Sequence, residues 1–384
     1  MTSGPDPERL RKLFFRLLDT YSPSGKEEEI TDLLFGYLRR RGLPVVRQAV
    51  DENRENLLVL PPGPDAVALA LVGHLDTVSA YDLERYGPEQ EGDEVVGLGA
   101  ADMKGGCAAM VEAYVSLWEA GPPRPPVALA LVVGEEEEGD GAARLAEEHH
   151  FPWVLIGEPT DLVPCFSHFG YMEILIASSG KRRHASLAER DQNPVEALLN
   201  LVLRITRFLS QKRPDLAYNI RDLFSSQSGF IVPDSCEARL DVHVPPTAPL
   251  GEITVELEEI AGAFQQEHPA TGITFRPETI DAGYRLPEKG PMVSALRQSF
   301  RKLGLPWKPQ AFRSHSDANR LWAAGMKPIL LGPGRLEKAH TPEESVSMQQ
   351  VVQASRLYHA LGLALAKAAD RSASTEPPPP RSAG

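Results

Sequence analysis

The chain has 384 residues, 42% hydrophobic and 24% charged, the composition of an ordinary globular protein, and its length favours two domains. Lys+Arg 40 against Asp+Glu 53 gives a formal net charge of −13, which argues against nucleic acid or an anionic membrane as the main partner, because both reward clustered Lys and Arg. Only Cys107, Cys165 and Cys236 occur, with no CxxC pairing, so neither a disulfide framework nor a cysteine zinc site is expected.

No apolar stretch approaches the roughly 20 residues of a membrane helix. The start, Met-Thr-Ser-Gly-Pro-Asp-Pro, has neither the basic nor the apolar region of a signal peptide. A cytoplasmic protein with reduced thiols is the expectation.

Leu10, Leu13, Phe14, Leu17 and Leu18 share one helical face over 8–18. A second helix, entered at Ser24-Gly25-Lys26-Glu27, points Ile30, Leu33, Leu34 and Leu38 inward and stops at Gly42. Short strands over 45–50 and 56–60 precede the apolar run 66–72, which reads as a strand buried on both faces and ended by Gly73. A loop over 79–99, a helix over 108–119 and an apolar strand over 127–133 complete a βαβ unit with parallel pairing. A helix over 141–149 leads to a strand over 153–156.

The pattern changes near Gly170. A strand over 171–178 is followed by a helix from Asn193-Pro194 to about Gln211 and a short strand over 228–232. In 235–244 the even positions Cys236, Ala238, Leu240, Val242 and Val244 are apolar and the odd ones polar, a strand with one wet face. A helix over 249–268 and a strand over 272–280 complete the order βαββαβ, a ferredoxin-like unit inserted in the larger domain. Helical pattern resumes at Pro291, and 349–368 is a closing helix. The expected division is a larger domain, 1–169 with 283–370, which the family resemblance described below makes catalytic, an inserted domain, 170–282, which it makes a lid, and a disordered tail, 371–384.

Four apolar strands deliver a His or a carboxylate to what reads as one rim. The first runs into Gly73-His74-Leu75-Asp76, the second into Gly134 and Glu135 to Glu138. The third runs into Gly157-Glu158, and the fourth, 328–331, into Gly332-Pro-Gly334 with His340 behind it. In α/β sheets chemistry collects beyond the carboxyl ends of the strands. Four such endings together read as a metal site, whereas each alone reads as a structural His or a solvated acidic loop.

These motifs, with Ala101-Asp-Met-Lys-Gly-Gly106, the glutamate run before Gly139, Gly157-Glu-Pro-Thr160 and the late His340, resemble the M20 metallopeptidases. That family contains acetylornithine deacetylase, succinyl-diaminopimelate desuccinylase, aminoacylase and glutamate carboxypeptidase. The resemblance runs from about Ser22 to Leu361. It implies a zinc-exopeptidase-like α/β catalytic domain with a mixed, largely parallel sheet and a ferredoxin-like α+β lid. It also implies two divalent metal ions, zinc first, with cobalt or manganese as alternatives.

By the same resemblance His74 would ligate one metal with Asp76 orienting it, and Asp102 would bridge both, ahead of a cis peptide bond. Glu158 would complete the first metal's ligands and His340 the second's. Counting back from Gly139 makes Glu136 the general base and Glu137 a ligand; a desuccinylase-like spacing would shift both by one. A lid histidine, His184 in Gly180-Lys-Arg-Arg-His184, would supply the oxyanion donor, though Arg183 stands where relatives carry a small residue. Leu98 and His243 stand where the family often has Arg, leaving His243, Arg239, Arg285 or Arg313 to bind a substrate carboxylate.

Of the other histidines, His149, His150, His268 and His359 read as surface residues, and His315 could line the pocket or not. Cys107 reads as packing. The segment from Leu331-Gly-Pro-Gly334 to Ala339-His-Thr-Pro-Glu343 is most similar to the acetylornithine deacetylase branch. The resulting expectation is a deacylase of N-acyl amino acids, with a dipeptidase or carboxypeptidase as the alternative and a catalytically silent binding protein as a third reading. Its partners would be a small N-acyl amino acid or dipeptide and a second copy, as a homodimer through the lid.

Overall fold

The computed structural model of the chain describes residues 4–61, 67–122, 124–189, 192–226 and 229–375, the side chains of 369–375 excepted. It has two compact units, one of Met1–Phe166 with Leu286–Gln310 and Ser316–Gly384, the other of Ser167–Arg285 with Ala311–His315. The chain leaves the first unit and returns to it twice.

The sheet of the first unit orders Val45–Ala49, Glu55–Val59, Val127–Val132, Leu69–His74, Val154–Ile156 and Pro328–Leu330, and reaches Cys165 beyond them. The four inner strands run parallel and the outer pairings antiparallel, so the sheet is mixed. From Leu69–His74 the chain goes first to the strand on one side and then to the strand on the other. That reversal opens a crevice beyond the carboxyl ends of these strands. All residues of Leu69–His74 and Val127–Val132 are buried, as unalternating apolar runs require.

The central strand sits later than its apolar run suggests. It ends at His74, which is in register with Val132, and Ala66 lies outside the described residues. Gly73 does not end it. A Cβ at Gly73 would overlap Cys107 Sγ and Met103 Cε, so the glycine lets the helix Gly105–Glu119 lie close against the sheet. Gly106 and Gly332 do the same against the carbonyl of Gly157, where a side chain of either would collide. Cys107 is therefore a packing residue, its thiol donating to the His74 carbonyl at 3.0 Å. These contacts set the distance between the Asp102 loop and the Glu158 strand end.

The closing helix is Met348–Thr375, longer than expected. Residues 371–375, expected as the start of a disordered tail, are helical because no proline interrupts the pattern before Pro377; 376–384 lie outside the described residues. His359, expected at the surface, is buried one turn along from buried Ser355.

The second unit carries Gly170–Ser179, Pro194–Lys212, Ala217–Ser225, Ser235–Val244, Leu250–Glu267 and Gly272–Asp281, the order βαββαβ. Its four strands pair antiparallel as 217–225, 235–244, 170–179, 272–281. Met172, Ile174, Ile176, Leu240 and Val242 meet Leu198, Leu201, Ile205, Leu257 and Phe264 in one apolar core. The second strand was not foreseen. All nine of its residues are exposed, and a bulge between Arg221 and Leu223 breaks the period of two. Of the strand expected over 228–232, residue 228 lies outside the described residues, and Ile231–Val232 is strand, paired with Arg183–His184.

Candidate metal centre

Three strand ends and two loops of the first unit converge. His74, at the end of its strand, aims Nε2 at Asp102 Oδ1, 3.2 Å away, while Nδ1 lies 3.0 Å from the backbone oxygen of Asp76. A backbone acceptor there holds the proton on Nδ1 and leaves Nε2 free as a ligand atom. Asp102 Oδ2 faces the other way, 3.6 Å from His340 Nε2, which lies 2.9 Å from Glu136 Oε2. The peptide bond after Asp102 is cis. Glu135 Oε2 and Glu158 Oε1 each lie 3.9 Å from His74 Nε2.

Asp76 is buried and does more than face the imidazole. Its Oδ1 accepts from the Glu135 N–H at 3.1 Å, and its Oδ2 accepts from the Glu136 N–H at 2.9 Å and the Ser24 hydroxyl at 2.7 Å. One carboxylate thus holds the turn that presents both glutamates. His340 takes a left-handed conformation, φ 57°, with its carbonyl receiving the Tyr81 hydroxyl at 3.1 Å. A non-glycine residue there is uncommon and often marks a functional loop.

The electrostatics are those of a cation site. Asp102, Glu135, Glu136 and Glu158 face two imidazoles, more negative charge than the side chains can neutralise. Burial, reinforced by neighbouring carboxylates, raises Glu135, Glu136 and Glu158 above the usual carboxylate range. Burial also opposes charge on Asp102, but the hydrogen bond and charge of His74 outweigh it and hold Asp102 low. His74 itself rises well above its ordinary value: burial opposes its charge, and Glu135 with Asp102 and Asp76 overcomes it. Glu158 Oε1 is buried with no hydrogen-bond partner, a costly state unless an ion takes its lone pair. Donor atoms of His74, Asp102 and Glu136 lie within 4.8 Å of one another, and their nitrogen and carboxylate donors are those that hold catalytic zinc. The residues fit a divalent cation.

Of the eight side chains singled out in the sequence, the structure brings together His74, Asp76, Asp102, Glu136, Glu158 and His340. Glu137 is not among them. It is exposed and, with Glu138, Gly25 and Arg54, lines a separate cavity of about 280 Å³. The reason lies in the turn. Gly139 N–H closes on Gly134 O at 2.7 Å, and Asp76 anchors the first two glutamates, so two residues separate the second inward glutamate, Glu136, from Gly139, where the spacing assumed one between the ligand glutamate and that glycine. Glu135 takes the inward place next to Glu136.

Two further acids went unnoticed in the sequence. Asp317 is buried, its carboxyl pushed up to about 7 by burial and further held there by Asp76. Glu344 is buried against the Asp102 loop. For Asp317 the available signal was its place directly after Ser314-His315-Ser316; Glu344 had none.

In the second unit His184 is exposed, its Nδ1 accepting from the Ser186 N–H at 3.2 Å. Arg183 pairs with Glu189, and Arg239 with Glu173 and Glu278. His243 is part-buried, with its Nδ1 unpartnered, and His315 pairs with Asp281 at 2.9 Å. Arg285 and Arg313 are exposed.

A carboxylate–imidazole cluster beyond the strand ends of a mixed α/β sheet, buried at His74, Asp102 and Glu158 and open at His340, is an arrangement suited to a metal-dependent hydrolase. The profile of Peptidase family M20/M25/M40 matches residues 70–364. The chain is 26% identical over 350 residues to an acetylornithine deacetylase of Edwardsiella ictaluri, covering 85% of this chain and 88% of that one. It is 24% identical over 373 residues to a probable carboxypeptidase of Aspergillus terreus, covering 90% and 84%. A tripeptidase structure from Staphylococcus aureus superposes with a TM-score of 0.78 at 20% identity, over 94% of this chain and 100% of that one, which is a likeness of fold. The chain belongs to Peptidase family M20/M25/M40, and it is a hydrolase of amide bonds that uses divalent metal. Among the described residues, no helix is long and apolar enough to cross a membrane.

Proposed function

We propose that this hydrolase removes the acyl group from an N-acyl amino acid, using two divalent cations, zinc first, with Glu135 as general base. The observation that carries the two-metal reading is Asp102, whose Oδ1 faces His74 and whose Oδ2 faces His340. His74 and Glu158 would hold one ion, Glu136 and His340 the other, and Asp102 both. Ions bound there would polarise the amide carbonyl and make water acidic enough to attack it.

The chain's own residues do the rest. Glu135, part-buried beside His74 and assigned to neither ligand pair, takes the proton of the attacking water and returns it to the leaving nitrogen. Asp76 keeps Glu135 and Glu136 in place and His74 in the right tautomer. His184, with Nδ1 accepting from Ser186, carries its proton on Nε2 and is a donor for the oxyanion. The second unit acts as a ferredoxin-like lid over 170–282. Its exposed edge strand Ala217–Ser225, bearing Tyr218, Ile220, Leu223 and Phe224, supports a homodimer through the lid. Three buried free thiols suit a cytoplasmic enzyme.

The acetylornithine deacetylase relative supports deacylation, and the carboxypeptidase relative defines the alternative. Incubation with N-acetylornithine, other N-acyl amino acids and unblocked dipeptides, with and without chelator, separates the two. Chelator-sensitive release from acylated substrates alone is the expected result; cleavage of dipeptides alone would replace deacylase with peptidase.

A further inference from the structure

The loops that carry Asp102 and His340 are joined by one buried carboxylate. Glu344 is 3% exposed. Its Oε2 accepts from the Gly99 N–H, and its Oε1 accepts from the N–H groups of Ala101 and Asp102, each at 2.9 Å. Its backbone belongs to the His340 side. The Glu344 N–H donates to the Thr341 carbonyl at 3.1 Å, and the Glu344 carbonyl receives the Gly97 N–H at 3.0 Å. Directly afterwards Ser345–Ser347 pairs antiparallel with Glu94–Val96, ahead of the same loop.

We propose that Glu344 is a positioning residue of the metal centre, its carboxylate folding the 99–102 backbone around itself and so fixing Asp102 relative to His340. The inference rests on the reading of Asp102 and His340 as ligands. Three N–H donors converging on two oxygens make a concavity shaped for a carboxylate. Glutamine turns one of the oxygens into an NH2 that meets an N–H head-on, donor against donor. Aspartate keeps the charge and both oxygens but is one methylene shorter, and so satisfies the donors incompletely. A residue with this role acts on the metal through Asp102 and touches neither substrate nor ion.

The test is titration of metal-stripped protein with Co(II), followed by visible absorption, for the wild type, Glu344→Gln and Glu344→Asp, with circular dichroism of each apo protein. Supporting groups of this kind cost about 10–100-fold in metal affinity when lost. The expected result is a loss of that size in Glu344→Gln with a changed Co(II) spectrum, and a smaller loss in Glu344→Asp. Wild-type affinity and spectrum in both variants overturn the proposal. If Glu344→Gln does not fold, Glu344→Asp decides on the same two readouts. A wild type that binds no Co(II) sinks the metal reading itself, and this proposal with it, whereas failure of the proposal alone appears only in the variants.

Discussion

Replacing Glu135 with Gln lowers kcat by about 10²–10⁴-fold, the usual contribution of a positioned general base, and leaves the metal content unchanged. The side chain points inward and is 10% exposed, with Oε2 3.9 Å from His74 Nε2. With Glu158 and Glu136 assigned to the two ligand pairs, Glu135 is the remaining inward carboxylate, left to reach water rather than metal. Burial, together with Glu158, Glu136 and Asp317, raises its proton affinity, which suits a group that must accept a proton and give it back. Glu136→Gln behaves differently, because Glu136 pairs with His340 on the ligand side, and its loss lowers metal content as well as rate. Glu137→Gln leaves both near wild type. Steady-state kinetics with elemental analysis of the three variants check the assignment. A dead Glu137→Gln beside an active Glu135→Gln would restore the spacing-based register.

Asp76→Asn is the second large effect, about 10–100-fold in metal affinity or turnover. The carboxylate receives three donors, the N–H groups of Glu135 and Glu136 and the Ser24 hydroxyl. An amide replaces one acceptor by a donor, so at least one buried N–H loses its partner, at a cost of about 1–3 kcal/mol. The turn carrying base and ligand then loosens while the fold around it stands. Metal titration and thermal unfolding of the variant measure the two consequences. Unchanged metal affinity and unchanged kcat in a folded Asp76→Asn would show that the turn holds itself.

Most of the rim was legible because its elements are strand ends, and buried strands announce themselves as apolar runs. His74, Asp76, Glu158 and His340 each follow such a run closely, so a small error in a strand boundary does not move them out of reach. The Asp102 loop came from its motif instead, and its place against Glu158 depends on Gly106 and Gly332 meeting the Gly157 carbonyl. The glutamate turn was not legible at the level of one residue. Four identical side chains carry no pattern, and which two face inward is set by bonds from Asp76, some 60 residues earlier in the chain. The strand Ala217–Ser225 was missed for a related reason: with both faces exposed, nothing requires alternation along it. Glu344 was invisible because its partners are backbone N–H groups, which every residue has.

The central claim is that Asp102 bridges two cations, with Glu136 and not Glu137 among their ligands. Anomalous diffraction from zinc-loaded crystals tests it most directly. Two peaks are expected, one contacted by His74 and Glu158, the other by Glu136 and His340, with Asp102 touching both and Glu135 touching neither. A single peak, or a peak contacted by Glu137, would contradict it.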